Sequence, residues 1–261
     1  MTEGRITTLF IYFHPMNHDR PLVEICCGDP RSALQAGEGG ADRVELCDRL
    51  EVGGTTPGPG TIAEACRNLA IPVHVLVRVR AGDFAPDQDE LAAMRADVEA
   101  AKGLGAAGVV FGILRRDGTV DRDATAALAD RARPLSVTFH KAFDQTPDLG
   151  EALETLIELG VDRVLTSGGR PSAEEGAEAL ARLVATAGDR IGVIVAGRLS
   201  LANLAAVIRR TAAREVHLGS AAAGPIASPC AFRPRDGSAL DWSGVRAENV
   251  RAIVKLAHDF N

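Results

Sequence analysis

The sequence predicts one α/β domain, a (β/α)8 TIM barrel, on three observations. Its 261 residues match one such barrel and require no second domain. After Pro21 a short β-rich run, a Gly or Asp turn, an Ala/Leu/Glu-rich amphipathic stretch and a glycine recur in that order. The cycle recurs eight times, which closes a barrel. A doubly wound open sheet would be favoured by G-x-G-x-x-G after the first strand; that motif is absent, and no nucleotide cofactor is expected.

The predicted strands are Leu22–Cys26, Arg43–Cys47, Val73–Val79, Gly108–Gly112, Leu135–His140, Arg163–Ser167, Ile191–Ala196 and Glu215–Gly219. Their near-continuous Val, Ile and Leu content implies a parallel sheet covered by helices. Asp29-Pro30 marks the first helix by an N-cap and a proline at the first helical position. Gly40, Gly105 and Gly160 each follow a helical stretch as its C-terminal glycine. Residues 220–242, rich in Ala, Pro, Ser and Gly, read as a long loop at the barrel mouth, a lid or a disordered excursion. A last helix is predicted from about Ser243 to His258.

Apolar residues at 46% allow a core of normal size, and aromatics at only 4% make it one of small aliphatic side chains. A net charge of −6 argues against a nucleic-acid partner, and Arg209-Arg210 reads as a helix C-terminus. The five cysteines, Cys26, Cys27, Cys47, Cys66 and Cys230, are odd in number and follow no secretory signal, so they read as reduced thiols of a cytoplasmic protein. Leu9–Phe13 is apolar but far shorter than the roughly 20 residues of a membrane span. That segment fits no repeat, so residues 1–20 read as a loose N-terminal extension before a barrel over 21–261, with Met16 as an alternative start.

Side chains alternate along a strand. Glu24 and Cys26 then share one face of the first strand, Glu45 and Cys47 of the second, His74, Leu76, Arg78 and Arg80 of the third, Ser136, Thr138 and His140 of the fifth, and Glu215 and His217 of the eighth. The opposite faces are aliphatic and belong under the helices, so the polar faces point into the barrel. Buried charge is tolerated only when paired. The expected arrangement is an acidic arc, Glu24, Glu45 and Glu215, beside the basic pair Arg78 and Arg80, with His140 and His217 close by. Such a set serves either as an interior network or as a site at the strand C-termini.

Within that set, His140 is the candidate general acid/base, with Asp144 placed to orient it, and Glu24 and Glu45 are candidate bases or metal ligands. Arg78 and Arg80 suit a carboxylate or phosphate, and Ser167, in Thr166-Ser167-Gly168-Gly169, and His217 are candidate substrate contacts. The loop Glu51–Gly60 offers donors to an anion or is a plain long turn. Cys26 and Cys47 are either small buried side chains or, as soft thiolates on neighbouring strands, copper(I) ligands with His140 or His217 as a third. No C-x-x-C or H-x-E spacing supports a metal, so on these residues alone they read as small buried side chains. Cys27 is expected under the helices, and Cys66 on a helix.

In combination, Gly39–Cys47, Glu51–Pro57, Arg78–Phe84, Val109–Gly112, Thr138–Asp144 and Val164–Gly168 resemble the CutC family, the copper homeostasis barrels, from about Leu22 to Ser220. The resemblance implies a cytosolic TIM barrel, often dimeric or larger, with copper(I) held by Cys26 and Cys47. Two positions depart from the family pattern: Ala196-Gly197-Arg198 stands where a Gly-Gly-Gly loop is usual, and His217 is followed by Leu218-Gly219-Ser220. The arginine blocks close backbone approach at the usual barrel phosphate site. The alternative to copper is an enzyme acting on a small anionic metabolite, phosphorylated or carboxylated, at the barrel mouth.

Overall fold

The computed structural model describes residues 20–229, 235, 239 and 241–259. Eight parallel strands close a barrel in chain order. They are β1 (Leu22–Cys27), β2 (Arg43–Leu46), β3 (Val73–Leu76), β4 (Gly108–Phe111), β5 (Ser136–Phe139), β6 (Arg163–Thr166), β7 (Gly192–Val195) and β8 (Glu215–Leu218). Helices α1 (Pro30–Glu38), α2 (Pro59–Asn68), α3 (Gln88–Gly103), α4 (Arg122–Ala132), α5 (Leu149–Glu158), α6 (Ala177–Ala187), α7 (Leu204–Thr211) and α8 (Ala247–His258) follow them. No helix among the described residues is long and apolar enough to cross a membrane.

All eight predicted strands are present. Asp29 caps α1 through the Ser32 amide, with Pro30 at the first helical position. Gly40, Gly105 and Gly160 all take positive φ behind their helices, a region open to glycine at no steric cost. Residues 1–19, with Leu9–Phe13 and Met16, lie outside the described residues, as does Cys230. Arg20, assigned to a loose extension, is bonded to Asp42.

The region after β8 differs from the expected loop. Ala223–Ile226 (β9) pairs antiparallel with Trp242–Val245 (β10), and the last helix starts at Ala247 rather than Ser243. The stretch around Ser243 extends because its backbone has a partner in β9, and the Val245 amide donates to Ser32 Oγ in the first turn of α1.

Parity holds within the strands. Val23, Ile25, Cys27, Val44, Leu46, Val75, Val109, Val137, Val164, Val193 and Val216 join the helices in one large core. Two smaller apolar groups fill the interior: Cys47, Leu76 and Val110 with Cys26, and Leu165, Ile194 and Ala196. Cys66 lies on α2, half-buried. The charged side chains share this interior with glycines that make room for them. A Cβ on Gly108 would stand 2.6 Å from His74 Cδ2 and Nε2, and one on Gly192 would stand 3.0 Å from Arg163 Cγ and 2.9 Å from Glu215 Oε1.

Replacing a strand glycine by alanine ordinarily stabilises by about 0.5–1 kcal/mol. Gly108→Ala should instead destabilise by about 1–3 kcal/mol, because both the new methyl and the His74 ring are buried. Urea unfolding of Gly108→Ala with and without His74→Ala checks this, the second substitution recovering most of the loss.

Candidate functional site

The barrel interior is built on a buried ion network. Glu24 is level with Arg43 on one side and His217 on the other. Arg43 Nε donates to Glu24 Oε2 at 2.5 Å, and its Nη2 to Glu215 Oε2 at 2.7 Å. Arg163 Nε reaches Glu215 Oε2 at 3.1 Å, and its Nη1 donates to Ser136 Oγ. Burial alone would raise the Glu24 carboxyl, but Arg43 and His217 hold it well below the usual carboxylate range. The expected acidic arc is therefore real, and its basic partners differ from those expected. Arg43 and Arg163, not Arg78 and Arg80, pair with Glu24 and Glu215, while Glu45 faces Cys47 and His217. Both were readable: Arg43 has the parity of Glu45 and Cys47, and Arg163 that of Leu165 and Ser167.

Above this floor, towards the strand C-termini, β1, β2 and β8 bring four groups together. Cys26 Sγ lies 3.7 Å from Cys47 Sγ, and Cys47 Sγ donates to Glu45 Oε2 at 3.4 Å. The ligand atoms of Cys26, Glu45 and Cys47 all lie within 4.8 Å of one another. His217 accepts its place from below: Nδ1 is 2.7 Å from Glu24 Oε1, and Nε2 is 3.8 Å from Glu45 Oε2. Burial opposes protonation of His217, but Cys26 and the two glutamates raise its pKa well above that of a free imidazole. Cys26 is correspondingly lowered, by the Cys47 thiol and by His217. Burial and the charge on Cys26 push the Glu45 carboxyl up to about 8. The three acidic groups thus compete for charge beside His217, and they lie against the apolar walls of Leu76 and Val110.

The other candidates lie elsewhere on the mouth. Backbone after Leu76 is no longer strand, so the alternation that put Arg80 inside lapses. Arg80 turns out to pair with Glu90 and Asp83. Arg78 is buried, but it bonds the carbonyls of Gly54 at 2.9 Å and Gly82 at 2.8 Å, not Glu45. His140 is buried, edge-on to Phe84 at 4.9 Å between centroids, and its Nδ1 accepts from the Ala142 amide at 3.2 Å. Asp144 does not orient His140. Its carboxylate takes Thr166 Oγ1 at 2.5 Å, the Ser167 amide at 2.9 Å, Ser167 Oγ at 3.1 Å and the Gly169 amide at 2.8 Å. The donors of the loop after β6, Ser167 among them, are thus held by Asp144.

A sequence model described as the CutC family matches residues 21–222. A Mesorhizobium japonicum protein named family protein CutC is 50% identical over 200 residues, 77% of this chain and 78% of its own. The human copper homeostasis protein cutC homolog is 44% identical over 196 residues, 75% and 72% of the two chains. A Streptococcus agalactiae crystal structure named for the copper homeostasis protein CutC superposes with a TM-score of 0.73 at 32% identity, covering 77% of this chain and 98% of that one.

Burial, with Arg78 and Lys141 nearby, lowers the His140 pKa from 6.5 to about 3. The unfolded chain therefore binds a proton below pH 6.5 that the folded one refuses until about pH 3. This contribution to stability is complete above pH 6.5 and is lost as pH falls towards 3. Between pH 6 and 5 wild type should lose about 1 kcal/mol more stability than His140→Asn, measured by urea unfolding at each pH. Parallel pH curves for the two proteins would refute it.

Proposed function

The chain belongs to the CutC family, and from that premise we propose that it is a copper homeostasis protein that holds one copper(I) ion between Cys26 and Cys47. The observation that carries this reading is the pair of reduced sulfurs 3.7 Å apart on β1 and the end of β2. Soft thiolates favour copper(I) over hard cations. The donor set fits in charge as well, since a monovalent ion bound to both sulfurs takes the place of one of the protons that Cys26, Cys47 and Glu45 share. Leu76 and Val110 give the sulfurs a dry, polarisable wall. The reading takes the protein as cytosolic, where thiols stay reduced, and as a homodimer or larger assembly.

Register supports metal over disulfide. Cys26 is level with Glu45, so Cys47 stands two residues further along. With a rise of about 3.3 Å per residue and strands about 4.8 Å apart, the two Cα atoms are about 8 Å apart. A disulfide needs them within about 7 Å. The sulfurs reach each other without the backbones being close enough to be locked.

A second reading, an enzyme acting on a small anionic metabolite, is favoured by His140. Accepting through Nδ1 leaves Nε2 as the protonated nitrogen, a neutral donor at the mouth beside Arg78. Glu45, not Glu24, is the carboxyl available as a base, because Glu24 is committed to Arg43 and His217.

Copper(I) affinity, measured by competition with a copper(I) chelator under reducing conditions, should vanish in Cys26→Ala plus Cys47→Ala and persist in Cys66→Ala. Equal affinity in the double variant would remove these thiols from the reading. Treatment of the folded apoprotein with a thiol oxidant should yield no Cys26–Cys47 disulfide in peptide mass mapping. Its rapid formation would show a more mobile β1–β2 edge than the register allows.

A further inference from the structure

Arg78 carries a buried charge with no carboxylate in ion-pair contact among the described residues. Its side chain is only 7% exposed and lies over the Phe84 ring, with Cζ 4.9 Å from the centroid. Its acceptors are backbone carbonyls: Gly54 and Val52 on Nη1 and Gly82 on Nη2. Nε is buried with no acceptor. The nearby carboxylates of Asp83 and Glu90 are taken by Arg80, and none lies within 4 Å of Arg78 among the described residues. Neutral carbonyls satisfy donors but leave the charge in place, and an unpaired buried charge is costly.

A second cation stands beside it. Lys141 Nζ donates to Gly53 O at 3.1 Å. A Cβ on Gly53 would overlap Lys141 Nζ and stand 3.8 Å from Arg78 Nη1. The guanidinium and the ammonium therefore converge over one glycine of the loop after β2, held there by three successive carbonyls. Their like charges repel, and neither has a carboxylate partner among the described residues. His140, the residue before Lys141, lies against the other side of the same Phe84 ring.

We propose that Arg78 and Lys141 form a binding site for a small anion, a carboxylate or phosphate seated against the Lys141 ammonium beside Gly53 at the barrel mouth. The bound anion supplies the counter-charge that the loop carbonyls lack. Arg80 takes no part, because its guanidinium is already paired. The site rests on the second reading above only for the class of ligand, and it is independent of copper, since the sulfurs lie on β1 and β2 and these cations beyond β3 and β5. It requires no turnover. Glycine at position 53 leaves room for the Lys141 ammonium, and its φ of +85° makes any side chain there strained as well as obstructive.

Thermal unfolding of the reduced, metal-free full chain tests this, with phosphate or citrate at millimolar concentration compared with chloride at equal ionic strength. The melting temperature of wild type should rise with the logarithm of the concentration of one of the two anions, and the more effective one identifies phosphate or carboxylate as the preferred group. Lys141 is exposed, so Lys141→Met should fold normally, and it should weaken the apparent affinity about tenfold or more, as loss of one charged contact does. Arg78→Lys, which keeps the charge but not the fork, should weaken it too. The Cys26→Ala plus Cys47→Ala protein should respond as wild type does. A melting temperature indifferent to both anions, or an equal response in Lys141→Met, would overturn the proposal and show that the two cations only tie loop carbonyls; neither result would alter the copper titration.

Discussion

Everything in the barrel interior depends on the ion network of Arg43 and Arg163 with Glu24 and Glu215. Four charges sit where barrels normally place Val, Ile and Leu. Such a network is tolerable only if each member is paired and hydrogen-bonded, and removing one partner from a buried pair typically costs about 3–5 kcal/mol. Here two guanidiniums meet two carboxylates, with Arg43 bridging both. Because its members come from β1, β2, β6 and β8, the network also fixes the register with which β8 closes onto β1. A slip by one residue would reverse every side chain and place Glu24 in the dry helix layer.

The same balance sets the chemistry above it. With the four network charges cancelled, His217 is the next group, and its Nδ1 is fixed on Glu24. That contact turns Nε2 towards Glu45 and Cys26 and favours the imidazolium. One positive charge then calls for one negative charge among Cys26, Glu45 and Cys47. Of the two sulfurs Cys26 is the one drawn towards the thiolate, which distinguishes it from Cys47, raised by its bond to Cys26 and by burial, and from Cys27 and Cys66, whose thiols burial pushes upward. Reactivity follows thiolate character. Four thiols of ordinary sequence context are sorted by a network two layers down.

How much of this was legible follows from how far local rules reach. Eight strands, their parity and the capping of α1 depend on neighbours in sequence, and all were readable. The inward placement of Glu24, Glu45 and His217 followed from parity alone. The pairing did not, because Arg43 contacts Glu215 across 172 residues and only the closed barrel brings them together. Arg78 and Arg80 show the opposite failure: alternation was extended past Leu76, where the strand ends, and Arg80 swings onto Glu90 at the start of α3. Asp144 was assigned by proximity in sequence to His140, while the better donors were the hydroxyls and amides of the next loop. β9 and β10 escaped notice because their partner strands are separated by a Pro- and Gly-rich stretch with no alternation to read.

The mouth is consequently divided. Arginines and carboxylates are poor company for a soft metal ion if they share one pocket, and the sequence placed all of them on one inner surface. The folded chain separates them. On the side of β1, β2 and β8 the arginine charge is spent below the sulfurs, and the wall beside them is Leu76 and Val110. On the side of β3 and β5, Arg78 and Lys141 stand with neutral His140 and Phe84, and the nearby carboxylates of Asp83 and Glu90 are taken by Arg80. His140 is kept neutral partly by those same cations, so it adds a donor there without adding charge. The loop after β2 joins the two sides: Cys47 ends the strand that leads into it, and Gly53 and Gly54 lie under the cations.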